Sequence, residues 1–192
     1  MNQRSFGTWL ALAAVLLCGA LVVIGLSEVS EQRTLPLADT SIIRTQAADK
    51  RLDPALIAAV IYCESKFEPH PSSAGAQGLM QILPATASYL ARLSGGRTFT
   101  VSDLATPSVN VAYGSYYLRY LLDHYGGNEL LALAAYNGGL SNVDRWVAHA
   151  GASGRQLTIA DIPFPETREY VRRVLHAEQV YRSRYARELG IA

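Results

Sequence analysis

Two cysteines among 192 residues leave little room for sulfur chemistry. Cys18 lies in an apolar run and Cys63 in a helical pattern, so no intrachain disulfide is expected. Cys63 reads as a small buried hydrophobe rather than a nucleophile. The four histidines, at 70, 124, 149 and 176, form no His-x-x-x-His or His-Glu pair, so neither a metal nor another cofactor is expected. Charge is scarce and balanced. Seventeen basic against 16 acidic side chains give no global pull toward nucleic acid. Strand-length alternation, internal repeats and low-complexity tracts are absent. What the chain has in quantity is apolar surface, 49% of its residues.

Much of that surface is in one place. Residues 8–26 (TWLALAAVLLCGALVVIGL) carry no charge over 19 positions, close to the ~20 needed to span a bilayer. Arg4 precedes the run, and Glu28, Glu31 and Arg33 follow it, a slight bias toward an inside N-terminus. As a cleaved signal peptide the run exceeds the usual ~7–15 apolar residues, and Gly25 and Ser27 make a mediocre cleavage site. As an uncleaved anchor its length fits. Leu17 is too large for the position before a lipid-modified cysteine. Either way residues 1–27 read as a signal anchor or signal peptide, and the rest is exported. Residues 28–38 read as a polar stalk, and 39–189 suffice for one domain with its own core.

That domain is helical by pattern. A helix is expected over 39–50. Asp53 and Pro54 are a good N-cap and first position for the next, whose Leu56, Ile57, Val60 and Ile61 recur at helical spacing. A loop over 66–83 precedes a helix opened by Pro84. The stretch 94–100 is the one place for a turn or short extended piece. A helix over 108–125 should bury Val111, Leu118, Leu121, Leu122 and Tyr125 and end at Gly126 and Gly127. Asn128 caps another, to about Tyr136, and a further one spans 141–149. A last helix runs from Pro165 to about Leu189, around a core stripe of Val171, Val174, Leu175 and Tyr181. Its six arginines read as a solvated face, or as attraction to anionic wall polymers.

Chemistry enters with Glu64. It continues the apolar face of its helix, seven residues beyond Ile57, and lies near the negative end of the helix dipole. Desolvation and the dipole both favour its protonated form, as a general acid requires. The plainer alternative is a helix-end glutamate paired with Lys66. Nine residues on begins Ser73-Ala74-Gly75-Ala76-Gln77-Gly78, whose small side chains let backbone approach a ligand closely. Ser73 and Gln81 add polar groups suited to hydroxyls and amides. No phosphate-loop lysine follows, so nucleotide binding fits poorly.

Glu64-Ser65, SAGAQGLMQILPATA (73–87), AAYNGG (134–139) and PFPETREYV (163–171), in that order, resemble the soluble-type lytic transglycosylases. These have a lysozyme-like fold related to goose-type lysozyme. The resemblance covers about 40–188 and implies an all-α, lysozyme-like domain behind its N-terminal transmembrane or signal helix. It implies Glu64 as catalytic acid and then base, and peptidoglycan glycan strands as substrate. Ser73, Gln81, Tyr136 and Glu166 match substrate-binding positions, with Gly75, Met80, Asn137 and Tyr170 as further candidates along the cleft. Gly138, Leu140 and Leu83 stand where the family often has alanine, proline and methionine. A monomer outside the cytoplasm, membrane-held by its N-terminal helix or released by cleavage, is expected, with no nucleic acid partner.

Alternatives stay open at several positions. Glu166 could bind substrate, stabilise the first turn of its helix, or serve as the second carboxylate of an inverting hydrolase, according to its distance from Glu64. Tyr136 could be core, and Tyr113, Tyr116, Tyr117 and Tyr120 divide between core and sugar stacking. A lysozyme-type hydrolytic muramidase is the nearest rival function. A non-catalytic glycan-binding or assembly protein would have no need of a buried acid.

Overall fold

The computed structural model describes residues 34–95 and 98–191. The apolar run at 8–26 lies outside them, and with it the expected anchor or signal helix. Among the described residues no helix is long and apolar enough to cross a membrane.

Eight α-helices are described: α1 (Thr40–Lys50), α2 (Pro54–Ser65), α3 (Pro84–Ser94), α4 (Pro107–His124), α5 (Glu129–Gly138), α6 (Leu140–Ala152), α7 (Pro165–Arg184) and α8 (Ala186–Leu189). Short 3-10 turns precede α4 and α7, at Val101–Ala105 and Ile159–Asp161. The centre of the fold is α2. Every residue from Ala55 to Ile61 is at most 2% exposed, so this helix is apolar all round rather than on one stripe. Packed along it is α7, which contributes Tyr170, Val171, Val174, Ala177 and Tyr181 to the core, while α5 bridges α7 and α4.

Asp53 starts α2 as its sequence suggests, accepting from Ala55 N at 2.7 Å, with Pro54 in the first turn. Its other carboxylate oxygen accepts from Arg182 at 2.5 Å, and Arg182 also bonds the buried Glu178. One aspartate thus caps the central helix and fastens the far end of α7 to it. Asp53→Ala should lower unfolding free energy by about 1–2 kcal/mol, mostly through the lost cap. A urea titration of the two proteins checks this, with a lower midpoint expected at unchanged slope.

Two boundaries differ from expectation. The last helix is not continuous to 189. At Tyr185 the backbone leaves helical geometry, and the Tyr185 hydroxyl donates to Leu35 O at 2.7 Å before α8 begins. The only extended pairing among the described residues is a single antiparallel bridge, Gln77 to Ile82, and it lies outside 94–100. Gly78 and Gln81 both take left-handed φ, +76° and +47°, which reverses the chain tightly enough for Gln77 and Ile82 to exchange both backbone hydrogen bonds at 3.0 Å. Tyr125, expected in the core, ends α4 half-buried instead, its hydroxyl donating to Asp144 at 3.0 Å.

Candidate active site

Glu64 is the penultimate residue of α2, where the core helix comes out at the edge of the domain. Burial pushes its carboxyl up to about 7. The Tyr170 hydroxyl and the Arg173 guanidinium oppose that rise, while the Glu166 carboxylate adds to it. The alternative pairing with Lys66 does not form. Lys66 takes a left-handed φ of 53° as the C-cap and is exposed, with no ion pair to Glu64. Cys63 beside it is half-buried, and burial pushes its thiol up to about 11, far from a reactive thiolate.

The loop beside Glu64 is organised around Met80. Its amide donates to Asn110 Oδ1 at 2.8 Å and its carbonyl accepts from the Tyr136 hydroxyl at 2.9 Å. Its side chain fills a flat spot on α4 at Gly114, where a Cβ would stand 2.3 Å from the sulfur. Asn110, fully buried, spends its amide nitrogen on Gln77 O at 2.8 Å and Leu104 O at 3.0 Å. Gly78 passes directly over that amide, and a Cβ there would lie 2.0 Å from Asn110 Nδ2. From the other side the Ser65 hydroxyl donates to Leu79 O at 2.8 Å, tying the loop to the residue after the acid.

The sequence candidates sort themselves against this frame. Tyr136, half-buried, and Tyr170, deeply buried, both feel the charge of Glu64. Tyr170 is 2% exposed, and its hydroxyl makes no hydrogen bond of ordinary geometry. Glu166 is exposed on the first turn of α7. Met80, expected along the cleft, is instead wholly buried and acts as the pin of the loop. Asn137 accepts from the Thr167 hydroxyl at 2.7 Å, joining the end of α5 to the start of α7. Gln81 spends its amide nitrogen on His70 O at 2.7 Å and Gly78 O at 2.9 Å, which fixes the side chain across the loop. Ser73 and Gly75 are exposed, and Gly75 has open space around it.

Four contributors escaped the sequence reading. Ser72, rather than its neighbour Ser73, closes the loop, its hydroxyl accepting from Ala76 N at 2.9 Å. Asn110 and Gly114 sit within an ordinary helical pattern, and only their burial in the folded chain reveals what they hold. Arg173 lies on the arginine-rich face read as solvated. Its distance in sequence from Glu64 hid the coupling.

An aromatic wall leads away from the acid. Tyr136 packs on Tyr117 at 5.3 Å, Tyr117 stacks on Tyr120 at 6.4 Å, and the Tyr120 and Tyr89 hydroxyls meet at 3.2 Å. Faces of this kind with polar edges suit sugar rings.

Comparison with known proteins gives a consistent picture. Residues 41–159 match the model of the transglycosylase SLT domain. The soluble lytic murein transglycosylase of Escherichia coli K12 is 32% identical over 154 residues, which are 79% of this chain and 24% of that protein. A membrane-bound lytic murein transglycosylase C of Glaesserella parasuis is 31% identical, over 81% of this chain and 48% of its own. Among solved structures, an inactive mutant of the lytic transglycosylase Slt from Pseudomonas aeruginosa superposes with a TM-score of 0.72 at 33% identity, covering 82% of this chain and 25% of that one. The chain thus spans about a quarter of the length of the soluble relatives.

Proposed function

Because the chain belongs to the transglycosylase SLT domain family, we propose that it is a lytic transglycosylase of peptidoglycan. It cleaves the β-1,4 bond between N-acetylmuramic acid and N-acetylglucosamine without consuming water. The observation that carries the reading is Glu64 at the end of the core helix, its carboxyl held up to about 7 by burial. Protonated, it gives its proton to the bridging oxygen as the C1–O bond breaks. The substrate's own 2-acetamido group stabilises the cation that develops, so the protein needs no nucleophile. Glu64, now a carboxylate, takes the proton of the C6 hydroxyl as that oxygen closes on C1. Proximity of the C6 hydroxyl replaces a second catalytic carboxylate.

Ser73, Gln81, Tyr136 and Glu166 line the bound strand, with Gly75 at the open edge of the loop and Asn137 and Tyr170 holding the geometry behind it. The membrane-bound relative and the uncharged run at 8–26 support a place outside the cytoplasm, with the chain tethered by its first 27 residues.

Mass spectrometry of digested sacculi tests the chemistry. The expected fragments carry 1,6-anhydro ends, and fragments with only hydrated reducing ends would establish a hydrolytic muramidase instead. The pH profile is a second check. The first step uses the protonated acid, so kcat/KM on glycan strands should fall as pH rises through about 7. An ordinary carboxylate would lose activity near pH 4–5.

A further inference from the structure

The tyrosines of α4 at 113, 116, 117 and 120 stand at i, i+3, i+4 and i+7, so they form one strip along the helix. Tyr117 and Tyr120 belong to the aromatic wall that leads away from Tyr136. Tyr113 and Tyr116 carry the strip one further turn along α4, about 6 Å from Tyr113 to Tyr117 on the axis. There they line a pocket of about 230 Å³ with Lys50, Ser94 and Ala112. We propose that this pocket is a distal binding site for the glycan strand, in which Tyr113 and Tyr116 take a muramic acid ring and Lys50 pairs with the carboxylate it carries. This rests on the peptidoglycan reading above and extends it to a recognition of charge on the strand.

Lys50 is the last residue of α1 and Ser94 the last of α3, and both meet α4 at this pocket. Among the described residues that line it, Lys50 carries the only charge, and it has no ion pair or hydrogen bond among the described residues. The plainer use of its ammonium, to close the end of α1, is already filled by backbone. Leu52 N donates to Ala47 O at 2.9 Å and Arg51 N to Ala48 O at 3.4 Å. The Tyr113 and Tyr116 hydroxyls likewise have no partner among the described residues. Phe99 packs on the Tyr113 ring with centroids 4.5 Å apart, which fixes that ring at the pocket wall. Half-buried rings with unused hydroxyls suit a sugar, and an unpaired ammonium suits an anion. Muramic acid offers both. Its lactyl ether ends in a carboxylate, either free or extended into a stem peptide with carboxylates of its own.

The test measures kcat and KM for the wild-type protein, Lys50→Gln, Lys50→Arg and Tyr116→Leu on three substrates. These are strands with stem peptides, strands stripped of stems to free the lactyl carboxylate, and stripped strands with that carboxylate converted to a methylamide. Lys50→Gln should raise KM about three- to fivefold on carboxylate-bearing strands, as a half-buried ion pair implies, with kcat and Tm close to wild type. On methylamide strands it should match wild type. A rise on stripped strands assigns the lactyl carboxylate, and a rise confined to stem-bearing strands assigns a carboxylate of the stem. Lys50→Arg should stay near wild type throughout, and about 0.5 M salt should remove most of the difference that Lys50→Gln makes. Tyr116→Leu should raise KM on all three substrates, because the ring it contacts is common to them. An unchanged KM for Lys50→Gln on both carboxylate-bearing strands, or an equal rise on the methylamide strands, overturns the proposal. Product ends are read in the same digests: absence of 1,6-anhydro ends from the wild-type protein would overturn the transglycosylase reading, whereas the pattern of KM judges the pocket alone.

Discussion

Glu64→Gln is expected to lose glycan cleavage by about 10³-fold or more in kcat, while strand binding by pull-down on sacculi stays close to wild type. Gln keeps the shape of the side chain and can neither give nor take the proton. The same substitution should stabilise the fold at high pH. The folded Glu64 carboxyl sits near 7 against 4.5 for the free group, so as pH rises the unfolded chain ionises first. Stability is therefore shed between about pH 4.5 and 7, and the deficit persists above that window. Gln carries no such deficit. The variant should match wild type below pH 4.5 and exceed it at pH 8 by up to about 3 kcal/mol, measured by urea unfolding at both pH values. Cleavage at the wild-type rate by this variant would sink the assignment of the acid. An inactive variant with no gain at pH 8 would refute the buried, charge-averse site.

The second large effect lies away from the acid, at Asn110. Its side chain holds Met80 N, Gln77 O and Leu104 O, and it is completely buried. Asn110→Leu preserves the volume and strands all three backbone groups, at about 1–3 kcal/mol each. The sum approaches the whole stability of a domain this size, ~5–15 kcal/mol. We expect a large drop in Tm, poor soluble yield, and loss of activity in whatever remains folded. Asn110→Asp, which keeps the acceptor for Met80 N, should fall between the two. An Asn110→Leu protein with wild-type Tm would show that the loop does not depend on this clamp.

The helices were legible in the sequence because their start signals are local. Asp53 and Pro54 open α2, Asn128 caps α5 with its side chain on Leu131 N, and the prolines at 84 and 165 stand in the first turns of α3 and α7. Glu64 was legible for a similar reason: its place on the apolar wheel of α2 follows from spacing alone. The loop was not. Whether Met80 meets solvent or core depends on Asn110 and Gly114, thirty or more residues away in the chain. The break at Tyr185 goes with a contact of the same long range, its hydroxyl donating to the carbonyl of Leu35.

The hydroxyl of Tyr136 reaches Met80 across 56 residues of sequence, and Tyr170 comes to Glu64 from farther still. Until α7 has docked along α2, the acid is solvated and has the pKa of any exposed glutamate. A nascent or half-folded chain therefore carries every residue of the site and none of its acidity. Under the proposed function, in which the chain acts outside the cytoplasm on the polymer it cuts, folding itself is the safety catch. Competence arrives with the last long helix.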